Sequence, residues 1–363
     1  MKVVEPIAEN SPKSTTSAGS EQPGSRRMPE LDGLRGLAIA LVLVCHYYVI
    51  LFRIPLEPDS FPYWFNRFLT ITWSGVDLFF VLSGFLLGGI LMDHLESPNY
   101  FKTFYARRAF RILPLYYVLL IPLFLAPYLA VNAAWIKKVT EATISPQLFL
   151  FFLQNIEMAR INRLGEAWTG VTWSLAIEEQ FYLMLPLLIR SVRRRLLPIV
   201  MIGLALTAPL IRMLILAWFP PEPDMARDAI RTYVLLPCRW DALGLGVLGA
   251  WIIRDPAWRQ RLRVRRAAFR CLWGILAAGV LGIGLAAPGL GSTLLNAGGY
   301  TWVAAFYCCS LLFVLTTSAR LLKGVFTWTP LRQLGTISYA VYLFHFPVQS
   351  LTHRFFYLHR APV

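Results

Sequence analysis

Paired cysteine spacings are absent from this 363-residue chain. Its five cysteines, Cys45, Cys238, Cys271, Cys308 and Cys309, lie in or beside apolar stretches, without the pattern of a zinc site or a disulfide framework, so packing is the role left to them. Acidic residues are scarce, 20 against 35 Lys and Arg, and charged residues of both signs make up only 15% of the chain. The net charge of +15 does not read as nucleic-acid binding, because the basic residues cluster between apolar runs and no soluble domain is large enough to present a basic face. A signal peptide is missing too: the first apolar run follows about thirty polar residues, exceeds an ordinary signal core and shows no convincing cleavage site. No internal repeat of the transporter kind is visible by eye. No metal or permanently bound cofactor is expected.

What the chain has is apolar length. Hydrophobic residues make up 56% and the mean hydropathy is +0.54, which marks a polytopic membrane protein. Runs near spanning length fall at 33–53, 68–92, 112–131, 172–190, 197–218, 231–253, 270–288, 300–319 and 334–356. The expected fold is therefore all-α, a polytopic transmembrane helix bundle of about nine full spans. Residues 1–29, rich in Ser, Pro, Gly and Glu, predict a disordered cytoplasmic tail, followed by a membrane domain over 30–358 and a short tail over 359–363. Basic clusters at Arg26/Arg27, Lys102 to Arg111, Arg190 to Arg195, Arg254 to Arg270 and Arg320 to Arg332 all fall on the cytoplasmic side if the N-terminus is cytoplasmic. The segment PQLFLFFLQNI, 146–156, is about half a span, and counting it as a crossing would put two of those clusters outside. It predicts a short re-entrant or shallow helix on the outer side, its irregular ends covered by protein or a water-filled cavity.

Polar residues within the spans carry the chemistry. The first apolar segment holds Arg35 and His46, and ionisable groups on a membrane helix are costly enough to count as candidate functional groups. Eleven positions on a straight helix put them within roughly 20° of one face and about 16 Å apart. The bland alternative is an interfacial anchor and a helix-packing histidine. After the second span, FKTFYARRAFRILP brings Arg107, Arg108 and Arg111 together at i, i+3 and i, i+4. Guanidinium forks suit phosphate oxygens, although a positive-inside stop or contact with lipid headgroups explains the same cluster. Asp77 and Ser83 sit in the second span, whose Gly75, Gly84, Gly88 and Gly89 suit close helix packing. In TWSLAIEEQFYL, Glu178 and Glu179 are adjacent, so at least one faces the bundle interior, either orienting a histidine or pairing with an arginine. Arg239 and Asp241 predict a local ion pair, and His345 a hydrogen bond within the bundle.

Read in series, LDGLRGLAIALVLVCH, DLFFVLSGFLL, RRAFRILP, TWSLAIEEQFYL and LGTISYAVYLFHFPV resemble the acyltransferase-3 family of integral-membrane acyltransferases, over nearly all of residues 29–350. The resemblance implies transfer of an acyl group, usually acetyl, from cytoplasmic acyl-coenzyme A, a co-substrate, to a hydroxyl of a carbohydrate, lipid or secondary metabolite. It matches Arg35 and His46 to the family's first-helix pair, and Arg107, Arg108 and Arg111 to its arginine motif for acyl-coenzyme A. Glu178 and Glu179 match its glutamate pair. On this reading His46, Glu178 and Glu179 are catalytic, and Arg35, Arg107, Arg108 and Arg111 hold the donor. His46 serves as general base or as acyl carrier, with Glu178 or Glu179 holding its tautomer or positioning the acceptor. The expected setting is a bacterial cytoplasmic membrane with lipid around the bundle; the oligomeric state and acceptor stay open. Relatives commonly continue into one more span, whereas this chain stops at Val363, which predicts a missing final helix and no fused esterase-like domain. The rival reading is a transporter or flippase of a glycan or lipid precursor, since charges in spans and broken helices also mark substrate pathways; a third is a catalytically silent scaffold.

Overall fold

A computed structural model describes residues 28–49, 57, 60–125, 144–165, 168–220, 230–286, 289 and 291–358. Within them the chain is helical throughout, with no strand. Both expected tails lie outside the described residues, apart from Met28 and Pro29.

Helix α1 (Pro29–Val44) opens with a proline and with Glu30 and Asp32 in its first turn, residues that suit free N–H groups and the positive end of the helix dipole. It passes into a π-helical turn, Cys45–Val49. Helix α2 (Phe61–Thr70) is capped by Ser60, whose Oγ accepts from the Tyr63 N–H at 3.3 Å. A single 3-10 turn, Ile71–Ser74, joins it to α3 (Gly75–Asp93). There follow α4 (Tyr100–Leu125), the short α5 (Pro146–Leu150) and α6 (Gln154–Ile161), then α7 (Thr172–Ser191) and α8 (Leu197–Trp218). Next come α9 (Ile230–Val234), α10 (Leu236–Arg254), α11 (Pro256–Val264) and α12 (Arg266–Ala286). A second π turn, Leu295–Gly299, precedes α13 (Tyr300–Thr316), and α14 (Arg320–Thr327), α15 (Thr329–Thr336) and α16 (Ser338–Leu358) close the bundle.

Among the described residues, six stretches are long and apolar enough to cross a membrane: Pro29–Val49, Phe61–Asp93, Leu197–Trp218, Ile230–Arg254, Arg266–Ala286 and Leu295–Thr316. The expected nine are not reached on that basis. Helices α4, α7 and α16 have the length, 26, 20 and 21 residues, but α4 carries its three arginines, α7 its two glutamates, and α16 His345 and Gln349.

The segment expected to be shallow is two short helices, neither long enough to cross. Between them Phe152 takes a left-handed φ of 55°, and its carbonyl accepts from Gln180 Nε2 at 2.8 Å. Gln154 Nε2 donates to the Thr172 carbonyl at 3.0 Å, and Asn155 Nδ2 to the Val234 carbonyl at 3.0 Å. Protein thus satisfies the carbonyl at the break, the condition under which a membrane bundle tolerates irregular backbone, and Gln154 and Asn155 tie the segment to its neighbours.

At the centre, α3 and α10 touch through their backbones. A Cβ at Gly84 would meet the Leu243 carbonyl oxygen at 2.0 Å, and one at Gly246 the Val81 oxygen at 2.2 Å, so only glycine admits this approach. Two buried ion pairs tie the same region. Arg239 donates to Asp77 Oδ1 at 2.6 Å, joining α10 to α3, and Arg212 donates to Asp241 Oδ2 at 3.0 Å, joining α8 to α10. The expected local pair between Arg239 and Asp241 does not form: residues two apart on a helix point away from each other, so each finds its partner on another helix.

Candidate functional site

Five helices surround a cavity of about 100 Å³. Helix α1 contributes Arg35, α3 Phe79 and Ser83, α4 Arg108 and Arg111, α7 Ser174, Glu178 and Tyr182, and α16 Ser338, Tyr339 and Tyr342. Local helix geometry explains the grouping: Arg108 and Arg111 stand at i, i+3 on α4, and Ser174, Glu178 and Tyr182 at i, i+4, i+8 on α7, each set forming one face. Tyr339 fixes α16 against α4 by donating to the Ile112 carbonyl at 2.9 Å. Ser174 Oγ and the Tyr342 hydroxyl share a hydrogen bond of 2.5 Å, which fixes α16 against α7.

The wall is cationic at one end. Arg35 and Arg108 are half-buried and Arg111 is exposed, and none of the three forms an ion pair among the described residues. Glu178 lines the same wall and interacts electrostatically with Arg108 and Arg35, while Asp32 also acts on Arg35 and Glu179 on Arg108. The Ser83 and Tyr182 hydroxyls bond to each other. Glu179, about 100° further round α7, does not line this cavity; its Oε1 is buried without a hydrogen-bond partner.

Arg107 is exposed and lines a second cavity of about 290 Å³ with His94, Ser97, Asn99, Tyr100, Thr103 and Arg108. Arg108 belongs to both walls. The arginine motif therefore divides: Arg107 lines the second cavity, Arg111 the first, and Arg108 both.

His46 lies outside the first cavity, in the π turn that ends α1. The straight-helix phase between Arg35 and His46 holds only as far as Val44. The His46 ring meets α16: its Nδ1 stands 3.2 Å from His345 Nε2, and its edge packs on Phe346 at 4.7 Å between centroids. Tyr47 donates to the His345 carbonyl at 2.7 Å, and Gln349 Nε2 to the His46 carbonyl at 3.2 Å, so the π turn is stitched to α16 from both sides. Ser338, Tyr342 and His345 recur at i, i+4, i+7, one stripe of α16 that starts in the cavity and ends at His46.

The arrangement thus brings together Arg35, Arg108, Arg111 and Glu178, sets Arg107 at an adjoining mouth, and leaves His46 at the far end of the α16 stripe. It supplies donors for an anion at one end, an imidazole at the other and tyrosines and serines between. Sequence reasoning passed over Ser174, Ser338, Tyr339 and Tyr342; their signal, hydroxyls at helical spacing on α7 and α16, is weak among so many aromatic residues. It also passed over Arg212, a buried cation in an otherwise apolar span, which its cost should have betrayed.

The family described as an acyltransferase domain, the acyltransferase-3 family, matches residues 28–362. BcsY of Komagataeibacter xylinus, whose given name describes a membrane-bound transacylase, is 30% identical over 341 residues, 90% of this chain and 73% of its own. The peptidoglycan O-acetyltransferase OatA of Listeria monocytogenes is 27% identical over 344 residues, 90% of this chain and 50% of its own. The O-acetyltransferase OatA of Staphylococcus aureus is 25% identical over 352 residues, 93% of this chain and 53% of its own. The chain thus spans about half the length of the two O-acetyltransferases. No solved structure matches.

Proposed function

The chain belongs to the acyltransferase-3 family of integral membrane proteins, and from that premise we propose that it transfers an acyl group, acetyl in the simplest case, from acyl-coenzyme A to a carbohydrate hydroxyl. The observation that carries this reading is the cavity with three arginines that form no salt bridge among the described residues at one end and a helix stripe leading to His46 at the other. A half-buried cation group short of counter-charge is a site for an anion. A nucleotide with several phosphates fits the guanidinium forks.

In this reading the nucleotide sits in the larger cavity with Arg107, and its phosphates meet Arg108, Arg111 and Arg35. The smaller cavity is too narrow for a nucleotide and takes the extended arm, which passes Tyr182 and Tyr339 toward Tyr342. At His46 the imidazole takes the proton of the acceptor hydroxyl as its oxygen attacks the thioester carbonyl. The new C–O bond forms, the C–S bond breaks, and the thiolate takes the proton from the imidazolium. Glu178 balances part of the arginine charge. An N-terminus on the cytoplasmic side of a bacterial inner membrane would put the arginine end where coenzyme A thioesters are and keep the basic loops inside. Two relatives named as O-acetyltransferases, one of them for peptidoglycan, support a carbohydrate acceptor. Transport of a glycan or lipid precursor is not favoured by this family.

The test is release of free coenzyme A thiol by the purified protein in lipid nanodiscs, with acetyl-coenzyme A and soluble glycan acceptors. Wild type is expected to turn over, and His46→Ala to lose at least about 100-fold in kcat while still binding donor. Full turnover by a folded His46→Ala variant would remove His46 from the mechanism. Movement of unmodified substrate without thiol release would restore the transport reading.

A further inference from the structure

His46 requires a defined tautomer to act as a base, and no carboxylate holds its ring among the described contacts. The group that touches it is another imidazole. His345 Nδ1 stands 2.7 Å from the Tyr342 carbonyl, a pure acceptor, so Nδ1 carries the His345 proton and donates it there. The remaining nitrogen of neutral His345, Nε2, is then an acceptor. It faces His46 Nδ1 at 3.2 Å, so the N–H between the two rings belongs to His46 Nδ1. A proton on Nδ1 leaves the lone pair of His46 on Nε2.

We propose that His345 is a positioning residue that fixes Nε2 as the basic atom of His46; this rests on His46 being the base of the reaction proposed above. His345 does the orienting work usually given to a carboxylate, and does so without bringing a negative charge to a partly buried site. When Nε2 takes the acceptor proton, the imidazolium keeps its Nδ1–H bond to His345 and the relay stays intact through Tyr342. The Tyr47 and Gln349 bonds hold the backbones of the two rings together, and Tyr342 joins the relay to the cavity wall through Ser174.

The test compares His345→Gln with His345→Leu in nanodiscs. Gln keeps an acceptor oxygen near the position of Nε2; Leu keeps the bulk and removes the acceptor. His345→Leu is expected to lose about 30-fold or more in kcat, with KM for donor and acceptor within about twofold, since a positioning group acts on the chemical step. His345→Gln should recover at least about a third of wild-type kcat. Nitrogen-15 spectra of the histidine rings should show His46 protonated at Nδ1 in wild type and in His345→Gln, and a mixture of tautomers in His345→Leu. Protonation of His46 at Nε2 in wild type would overturn the proposal. So would wild-type kcat in His345→Leu, or equal losses in both variants with the tautomer unchanged. If His46→Ala itself retains turnover, the reaction scheme fails, while the spectra still decide whether His345 sets the ring.

Discussion

Two groups of charge in this bundle obey opposite rules. Around α3, α8 and α10 each cation has its own carboxylate: Asp77 for Arg239 and Asp241 for Arg212, at 2.6 and 3.0 Å. The pairs are boxed in, Arg212 also donating to the Asn296 carbonyl at 2.9 Å and Arg239 lying over the Tyr300 ring at 4.4 Å. Around α1, α4 and α7 three arginines line a cavity with Glu178, and none of them forms a salt bridge among the described residues. The first group neutralises its cations within the protein, although Nε and Nη1 of Arg239 and Oδ2 of Asp77 are buried without a hydrogen-bond partner; the second leaves its cations without a salt bridge among the described residues. Charge in a membrane protein is therefore informative less by its presence than by whether the protein has already neutralised it.

The contrast can be broken at several points. The largest effect belongs to Asp77→Leu, which strands Arg239 in the core and should cost about 3–5 kcal/mol, read as a lowered unfolding temperature in detergent. The double variant Asp77→Leu/Arg239→Leu should recover most of that loss; a double variant as unstable as the single would show that the pair is not what the carboxylate serves. Next comes Arg108→Gln, expected to weaken binding of a non-hydrolysable acyl-coenzyme A analogue by about 10- to 100-fold with the unfolding temperature unchanged or raised. Lost stability with intact binding would make the two groups alike. Ser174→Ala removes one of the two hydrogen bonds of the Tyr342 hydroxyl, the other going to the Val171 carbonyl at 3.2 Å, and should cost about 0.5–1.5 kcal/mol by the same melting assay.

The smallest effect is at the surface. Arg160 donates twice to Glu157 at 2.7 Å and holds that carboxyl below the usual carboxylate range. The stabilisation is present at neutral pH and fades only as pH falls through that lowered value. Because the pair is in solvent, Glu157→Gln should leave turnover and melting at pH 7 unchanged within error. A marked loss would mean that α6 meets a charged ligand.

Much of this was legible in the chain. Long apolar runs give helices, the cost of charge in them marks Arg35, His46, Glu178 and Glu179 as candidates, and helical spacing adds Arg107, Arg108 and Arg111; of these the structure gathers Arg35, Arg108, Arg111 and Glu178 around one cavity. The short segment after α4 was recognisable as too short to cross, though its division at Phe152 was not, because the left-handed residue there has its carbonyl bonded by Gln180, a partner on another helix that local sequence does not reveal. Partner choice was the least legible layer. Arg239 and Asp241 are neighbours in sequence yet each pairs with a different helix, whereas His46 and His345 stand nearly three hundred residues apart and share one hydrogen bond. Helix periodicity says which side chains share a face but not which faces meet.

Arg108 remains as the one side chain common to both cavities. A partition made of backbone would fix the size of each chamber, but this one is a long chain with several rotatable bonds. Swinging the guanidinium toward one chamber enlarges the other, so the two volumes can trade space at the cost of a rotamer change, with no movement of any helix.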